Sequence, residues 1–181
     1  MCSSDLDMGA EVQLISGPVQ LKAPEGVKTT QVVSAMEMFH AFTEQLPAAD
    51  VIICAAAVAD YRPAETHAQK IKKGNETLHL TLVKNPDLLQ YAGEHKKSAQ
   101  YLAGFALETH NEEAYAKEKL LLKKADLIVL NSLRDEGAGF GTDTNRVTLI
   151  THNNTRRSGL LPKPEIAGEI ALCIATECSL L

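Results

Sequence analysis

The feature that most constrains the fold is one unbroken apolar run, DVIICAAAV at residues 50–58, which is bounded by turn-forming residues. Strands with one solvated face alternate apolar and polar residues, whereas strands buried on both faces do not. The run therefore predicts a central parallel strand covered on both sides. Composition agrees: 45% of the 181 residues are hydrophobic but only 4% aromatic, so the core must consist mainly of Val, Ile, Leu and Ala.

Predicted strands and helices alternate along the rest of the chain. Further strands are predicted at 12–16, 27–33, 77–83, 101–106, 126–131 and 142–154, with a turn at 153–154. Helices are predicted at 35–46, about 86–96, 111–125 and 163–177. Ser34, with Glu37 three residues later, forms a capping box. The alternation indicates βαβ units, so we predict one α/β domain with a Rossmann-like three-layer fold and a mostly parallel central sheet.

Two segments depart from this pattern. Residues 62–76 are polar and basic without periodicity, and are predicted to form a mobile flap loop. Residues 1–6, MCSSDL, fit neither a strand nor the start of a helix, whereas Met8 and Gly9 look like a helix end leading into a strand. We therefore expect residues 1–8 to be a non-native leader or remnant, and 9–181 to form a single nucleotide-binding domain.

Charge and cysteine content exclude several classes of protein. The net charge of −5 offers no basic field for nucleic acid or an anionic membrane, and no apolar stretch approaches the roughly 20 residues of a membrane span. The four cysteines and six histidines show no metal-ligand spacing. The cysteines are scattered along the chain, which favours a reducing, cytoplasmic location. We expect small-molecule partners, and neither nucleic acid nor membrane.

Three predicted strand ends carry residues suited to a ligand, and open α/β sheets bind ligands at such ends. After the apolar run, small residues at 55–59 would let a planar base approach the backbone, and Asp60 could meet a metal or a ribose; tight packing and a helix cap are the alternative. The KIKKG segment at 70–74 could clamp phosphates or be a solvated face. KNPD at 84–87 starts a helix and could present backbone N–H groups to an anion.

Two further features are open to both interpretations. Phe105 lies near the end of its strand, where its ring could stack on a base or pack in the core. Lys119 and Lys123 share one helix face and would clamp a triphosphate if that face met a pocket, or simply be solvated. The sequence contains no GxGxxG, P-loop, CxxC pair or GxSxG motif.

Taken in order, AAAVADYRP, KIKKG, LVKNPDLL, GFALET and NEEAYAKEKLLLKKADLIVLN resemble the phosphopantothenate–cysteine ligase family. In many bacteria this family forms the C-terminal half of a bifunctional protein fused to a flavin-dependent decarboxylase. The resemblance runs from about Gly9 to the C-terminus and includes GAGFG at 137–141 with Asp143 and Asn145. It implies CTP-dependent ligation of phosphopantothenate to cysteine through an acyl-cytidylate, with release of CMP and pyrophosphate, in coenzyme A biosynthesis.

The resemblance also implies roles for individual residues. The backbone at Cys54, Ala55 and Ala56 would lie against the cytosine, and Asp60 would serve the ribose or a Mg²⁺-bound phosphate. Lys70 would be the principal catalytic lysine, carried on the flap. The remaining nucleotide contacts would come from Lys84, Asn85, Pro86, Asp87, Phe105, Lys119 and Lys123. The implied cofactor is Mg²⁺, with CTP as co-substrate and FMN only if a decarboxylase domain is fused; the implied assembly is a homodimer.

One part of the family pattern is not found in this sequence: the opening strand with its Gly/Ser/Asn-rich turn, which helps to hold both nucleotide and phosphopantothenate. We therefore expect an N-terminally truncated ligase domain with impaired independent activity. Two alternatives remain at this stage. One is a nicotinamide-dependent Rossmann oxidoreductase, against which the absent glycine fingerprint counts, and the other is a non-catalytic nucleotide-binding module.

Overall fold

The computed structural model describes residues 2–65, 69, 77–132, 137 and 141–178. Its helices are α1 Cys2–Asp7, α2 Ala35–Gln45, α3 Leu88–His95, α4 Glu112–Leu122 and α5 Lys163–Glu177, with a 3₁₀ turn at Leu46–Ala48. Its strands are β1 Gln13–Ser16, β2 Lys28–Gln31, β3 Val51–Cys54, β4 Tyr61–Pro63, β5 Leu82–Lys84, β6 Tyr101–Glu108, β7 Leu127–Ser132, β8 Thr144–Asn145, β9 Val147–Thr151, β10 Thr155–Arg157 and β11 Leu161–Pro162.

The largest sheet has five strands in the order β10-β9-β7-β6-β3. Strands β3, β6 and β7 are parallel, with Cys54 opposite Gly104 and Ala103 opposite Leu127. Strands β9 and β10 add an antiparallel side. The predicted α/β class is confirmed, and the parallel part of the sheet is where the candidate site forms.

Two hydrophobic clusters cover the two faces of this sheet. One joins alternate residues of β6 and β7, such as Leu102 and Ile128, to α3 and α4. The other joins the intervening residues, such as Ala103 and Val129, to α5 through Ile170. Because successive side chains of a strand point to opposite faces, two continuous apolar strands supply both cores. Helices on both faces give the predicted three layers.

The predicted helices are confirmed, and their caps explain where they begin. At α2, the Glu37 amide donates to Ser34 Oγ at 3.2 Å, and the Glu37 carboxylate accepts from the Val33 amide at 2.8 Å. The bond from the Val33 amide, followed by one that the Ser34 hydroxyl donates to Glu37 Oε1 at 3.1 Å, lowers the pKa of the Glu37 carboxyl. Helix α5 starts and ends where the sequence predicts. None of the helices in the described ranges is long and apolar enough to cross a membrane.

The apolar run at 50–58 was predicted to be a central strand, and this is wrong. The strand stops at Cys54 and lies at the edge of the five-stranded sheet, with only Ile52 buried. Residues 55–57 are exposed and irregular. Alanine has low strand propensity and a side chain too short to anchor a pleated face, so the run stays apolar beyond the point where pairing ends.

The prediction that residues 1–6 do not start a helix is also wrong, because Cys2–Asp7 forms α1, which packs against α5. The predicted end at Met8 and Gly9 is confirmed. Gly9 has φ +86°, its amide donates to Leu6 O at 2.8 Å, and the next amide, Ala10, donates to Asp5 O at 3.1 Å. This pair of bonds is a Schellman motif, which glycine permits because it has no Cβ.

Three other segments differ from their predictions. The strand expected at 77–83 is regular only in β5, and it pairs antiparallel with β4, which lies inside the predicted loop. The single strand expected within 142–154 is two strands, β8 and β9, and the predicted turn at 153–154 leads into a third strand, β10, that was not predicted. Most of the predicted flap, residues 66–68 and 70–76, lies outside the described residues.

Candidate functional site

A cleft of about 410 Å³ opens where β3 ends, beside the start of α3. Five stretches of chain line it: Cys54 at the end of β3, residues 58–61, residues 84–89, Phe105 of β6 and Lys119 of α4. This is the carboxyl edge of the parallel strands, where open α/β sheets bind ligands. The structure thus brings eight of the predicted nucleotide-binding residues together: Cys54, Asp60, Lys84, Asn85, Pro86, Asp87, Phe105 and Lys119.

Close packing of α3 on β6 shapes one side of the cleft. A Cβ on Gly104 would lie 2.6 Å from Leu89 Cδ2 and 2.9 Å from Leu89 Cδ1, so a larger residue there would force the Leu89 side chain out of its present position. The same helix is held at its other end, where a Cβ on Gly93 would lie 1.8 Å from the Lys123 carbonyl oxygen. Two glycines therefore set how closely the start of α3 approaches the end of β3.

Asn85 is the buried polar centre of the turn that precedes α3, with only 6% of its surface exposed. Its amide nitrogen Nδ2 donates to Ala59 O at 2.8 Å, and its Oδ1 accepts from Arg62 Nη1 at 2.9 Å. Its backbone N–H donates to Asp60 O at 2.7 Å. The side chain that sequence analysis assigned to the nucleotide is thus already bonded to the opposite wall of the cleft.

Asp87 is the N-cap of α3, and both of its carboxylate oxygens are engaged. Oδ1 accepts from the Gln90 amide at 2.9 Å, and Oδ2 accepts from Lys123 Nζ at 2.9 Å. Partial burial raises the pKa of Asp87, but the hydrogen bonds from Gln90 and Lys123 and the charges of Lys123 and Lys119 outweigh burial, and the pKa is lowered. The carboxylate is therefore ionised at neutral pH.

Lys119 is one of two lysines that line the cleft, the other being Lys84. Lys119 Nζ donates to Phe105 O at 3.0 Å, which points the ammonium group across the end of β6. Within the described ranges, no carboxylate lies at ion-pair distance from it, whereas Lys123 is paired with Asp87 and does not line the cleft. An ammonium held by one neutral oxygen retains its charge and two donors for an anionic ligand.

The end of β3 contributes a thiol and exposed backbone. Burial, followed by the nearby Asp87 carboxylate, raises the pKa of Cys54 to about 12. The thiol is therefore a neutral wall of the cleft and not a nucleophile. Ala55 and Ala56 are exposed and do not line the cavity, although they continue the chain from Cys54 toward it.

Five residues that line the cleft were not assigned individually to the nucleotide: Val58, Ala59, Tyr61, Leu88 and Leu89. Val58 and Ala59 belong to the small-residue segment that was predicted to approach a base, and all five lie within two residues of Asp60 or Asp87. Arg62, which bonds to the turn from outside the cavity lining, was not assigned either. Lys70, the predicted catalytic residue, lies outside the described residues.

Asp60 is the one predicted metal ligand, and its surroundings fit a nucleotide-bound Mg²⁺ rather than a protein-only site. Its side chain lines the cleft and has no hydrogen-bond or ion-pair partner in the described part of the chain. No group of three or more His, Cys, Asp or Glu residues suited to a metal occurs among the described residues. Mg²⁺ commonly binds through one or two carboxylates together with substrate phosphates, which a single free carboxylate satisfies.

The sequence model of one family, described as the DNA/pantothenate metabolism flavoprotein C-terminal domain, matches residues 1–177. A protein named cysteine/cysteine sulfinic acid decarboxylase, from an unknown prokaryotic organism, is 44% identical over 171 residues, which cover 93% of this chain and 48% of that protein. The coenzyme A biosynthesis bifunctional protein CoaBC of Bacillus subtilis is 40% identical over 177 residues, covering 97% of this chain and 43% of that protein.

A solved structure has the same fold. It is the crystal structure of the C-terminal domain of a coenzyme A biosynthesis bifunctional protein CoaBC, which superposes with a TM-score of 0.80 at 38% sequence identity. The match covers 97% of this chain and 78% of that one. The chain spans a little under half the length of the two curated relatives, so their complete activities belong to longer proteins.

Proposed function

The chain belongs to the family of the DNA/pantothenate metabolism flavoprotein C-terminal domain, and from that premise we propose that it is a CTP-dependent ligase that joins phosphopantothenate to cysteine. The reaction is the amide-forming step of coenzyme A biosynthesis, the process named for its CoaBC relatives. Family membership favours this activity over a nicotinamide-dependent oxidoreductase. The proposed setting is the cytoplasm, and the proposed assembly is a homodimer.

One observation carries the proposal: the cleft at the carboxyl edge of the parallel strands is lined by a lysine, Lys119, and a carboxylate, Asp60, neither of which has an ion-pair partner in the described part of the chain. A Mg-nucleotide needs both signs of charge, because its phosphates attract ammonium groups and its metal attracts carboxylates. Lys84, which is exposed, adds a second cation to the lining of the cleft. We assign the triphosphate to these lysines and the base to the space between Cys54 and Phe105.

The proposed chemistry has two displacements. The phosphopantothenate carboxylate attacks the α-phosphorus of CTP, a new C–O–P bond forms, and pyrophosphate leaves. The amine of cysteine then attacks the acyl carbon of the acyl-cytidylate, the C–N bond of the amide forms, the amine gives up one proton to solvent, and CMP leaves with the electron pair of the broken C–O bond. Activation is needed because a free carboxylate would have to expel oxide.

Electrostatic stabilisation is the contribution expected of the protein. Negative charge builds on the α-phosphoryl oxygens in the first displacement, and an ammonium group held at that position lowers the barrier. We assign this role to Lys70, on the resemblance of KIKKG, with Lys119 holding the other phosphates. Mg²⁺ bound through Asp60 would supply further charge neutralisation to the triphosphate.

A thermal-shift titration of this chain with CTP, ATP and NADH, each with Mg²⁺, tests the proposal. A ligand present at 100 times its Kd stabilises the native state by about 2.7 kcal/mol, which a cooperative melt resolves. We expect CTP to raise the melting temperature and NADH to leave it unchanged. Pyrophosphate release that requires both phosphopantothenate and CTP would then establish the first chemical step.

Lys119→Gln and Lys117→Gln form a matched pair for the same titration. Both lysines are on α4, but Lys117 is exposed and does not line the cleft. Lys119→Gln is expected to weaken CTP binding about tenfold, the worth of one charge-assisted hydrogen bond of roughly 1.5 kcal/mol, and Lys117→Gln to leave it unchanged. Equal effects of the two substitutions, or stabilisation by NADH alone, would contradict the proposal.

A further inference from the structure

We propose that Arg62 and Asn85 act as one positioning unit for the nucleotide site, holding the wall of the cleft at residues 59–62 against the wall at residues 84–87. The inference rests on the proposed function, since the site it positions is the one assigned there to CTP. Neither residue is proposed to take part in the chemistry. Their role is to fix how far apart the ligand-contacting groups of the two walls stand.

Four hydrogen bonds join the two walls, and all of them involve these two residues. The Asn85 backbone N–H donates to Asp60 O at 2.7 Å, and Asn85 Nδ2 donates to Ala59 O at 2.8 Å. Arg62 Nη1 donates to Asn85 Oδ1 at 2.9 Å and to Lys84 O at 3.0 Å. The short β4–β5 ladder, in which Tyr61 lies opposite Lys84, continues the same connection.

The chemistry of Asn85 suits this position and no similar side chain reproduces it. The amide offers a donor to Ala59 O and an acceptor to Arg62 Nη1 on one short side chain, and only 6% of the residue is exposed. Aspartate would turn a second acceptor toward the Ala59 carbonyl, and leucine would leave both partners unsatisfied. Both partner groups are partly exposed, so they would bind water in place of the amide, and the direct side-chain connection between the two walls would be lost.

Arg62 is bonded here to neutral oxygens only. In the described part of the chain its guanidinium group has no carboxylate at ion-pair distance, and its two acceptors are the Lys84 carbonyl and the Asn85 side chain. The arginine therefore joins the walls without neutralising the positive charge that the cleft presents to phosphates. An acidic partner in place of these oxygens would have joined the walls equally well but weakened anion binding.

The residues that the unit positions flank it directly in the chain. Asp60 lies between Ala59 and Tyr61, while Lys84 and Asp87 lie on either side of the buried Asn85 turn. A shift of about 1 Å in a positioned group can lower a rate about 10²-fold. Loss of the hydrogen bonds between the two walls should therefore lower the affinity for Mg-CTP more than it lowers the free energy of unfolding.

The test is a double-variant comparison by isothermal titration with Mg-CTP, using Arg62→Leu, Asn85→Ala and the two combined. We expect each single substitution to raise Kd about tenfold or more, and the double variant to bind about as weakly as the weaker single one, because residues that act as a unit are not additive. Arg62→Lys should recover part of the affinity, since one ammonium group can donate to both oxygens that Nη1 now serves.

Gln100 supplies the matched control. It is a buried amide with the same 6% exposure, it lies at the amino end of β6, and its Nε2 donates to Leu46 O at 2.7 Å and to Ala49 O. Gln100→Ala should lower the melting temperature without changing the Kd for Mg-CTP. If Gln100→Ala and Asn85→Ala weaken binding equally, the effect is one of general destabilisation and the inference is wrong.

Amide hydrogen exchange tests the connection between the two walls in the absence of nucleotide. The Asn85 amide, bonded to Asp60 O, should exchange at least about tenfold faster in Arg62→Leu than in the wild type, since local opening sets its protection. The Leu102 amide, bonded to Asp126 Oδ2 at 2.7 Å, should not change. Unchanged exchange at Asn85, or multiplying effects of the two substitutions on Kd, would overturn the inference. A wild-type chain that fails to bind Mg-CTP would instead contradict the proposed function.

Discussion

Lys123 Nζ lies 2.9 Å from Asp87 Oδ2, so that the last turn of α4 is tied to the N-cap of α3. The sequence places Lys119 and Lys123 on one helix face and predicts that both contact the triphosphate of the nucleotide. In the structure they differ, because only Lys119 reaches the cleft. One helical turn of about 5.4 Å separates them, which is enough to move Lys123 beside α3. A contact of Lys123 with the triphosphate remains a prediction.

The Asp87–Lys123 pair should make the free energy of unfolding depend on pH in the acidic range. The folded-state pKa of Asp87 is lowered from its ordinary 3.8, so the pair's contribution is fully present above that value and is lost as pH falls through the lower folded-state pKa. Because 42% of the Asp87 side chain is exposed, we expect Asp87→Asn to reduce the free energy of unfolding by only about 0.5–1 kcal/mol at pH 7. Urea unfolding measures this difference.

The same substitution separates the ion pair from the helix cap. Asparagine is as good an N-cap as aspartate, whereas alanine is not, so Asp87→Ala should be destabilising by about 1 kcal/mol more than Asp87→Asn. The difference between wild type and Asp87→Asn should disappear once the pH falls below the lowered folded-state pKa of Asp87. A difference that persists there would show that the charge of Asp87 is not its source.

Gly93→Ala should be destabilising by about 3 kcal/mol or more, because its Cβ would lie 1.8 Å from the Lys123 carbonyl oxygen and backbone cannot move aside as a side chain can. Gly168→Ala is the matched control in α5, where a new Cβ would have no heavy atom within 4 Å. It should stabilise the protein by about 0.5–1 kcal/mol through helix propensity. Thermal and urea unfolding of both variants measure the change in the free energy of unfolding. Changes of the same sign in the two variants would contradict the packing described.

Cys54 should resist alkylation in the native state. Burial raises the pKa of its thiol to about 12, so only about one molecule in 10⁴ is thiolate at pH 8. After treatment with iodoacetamide, peptide mass spectrometry should find Cys54 unmodified in buffer and modified in urea. A urea concentration of about 8 M is enough to unfold most domains. Equal labelling under the two conditions would show that the end of β3 is open to solvent and reagent.

Lys70→Gln should lower the rate of phosphopantothenate-dependent pyrophosphate release by a factor of about 10² to 10³, with a smaller effect on the Kd for CTP. The reason is that a group placed where charge develops acts on the transition state more than on bound substrate. Lys73→Gln, in the same basic segment, is the control and should retain most of the activity. Full pyrophosphate release by Lys70→Gln would refute the assignment.

The sequence by itself determined the elements of the fold wherever local chemistry sets the structure. The capping box of Ser34 with Glu37, the glycine end of α1 at Gly9 and the N-cap at Asp87 each depend on contacts within a few residues. Unbroken apolar strands such as β7 likewise require helices on both faces, which predicts three layers. The family resemblance, carried by short ordered motifs, predicted which strand ends would meet.

Only the tertiary structure decided where those elements lie and which side chains remain free. Apolarity at 50–58 predicts burial but not position, so β3 is an edge strand that ends at Cys54. Likewise, a lone lysine or asparagine does not reveal its partner: Lys123 is paired, Lys119 is available, and Asn85 is bonded to Ala59 and Arg62 across the cleft. These pairings join residues 14 to 36 positions apart in the chain, and contacts at that distance depend on packing rather than on local sequence.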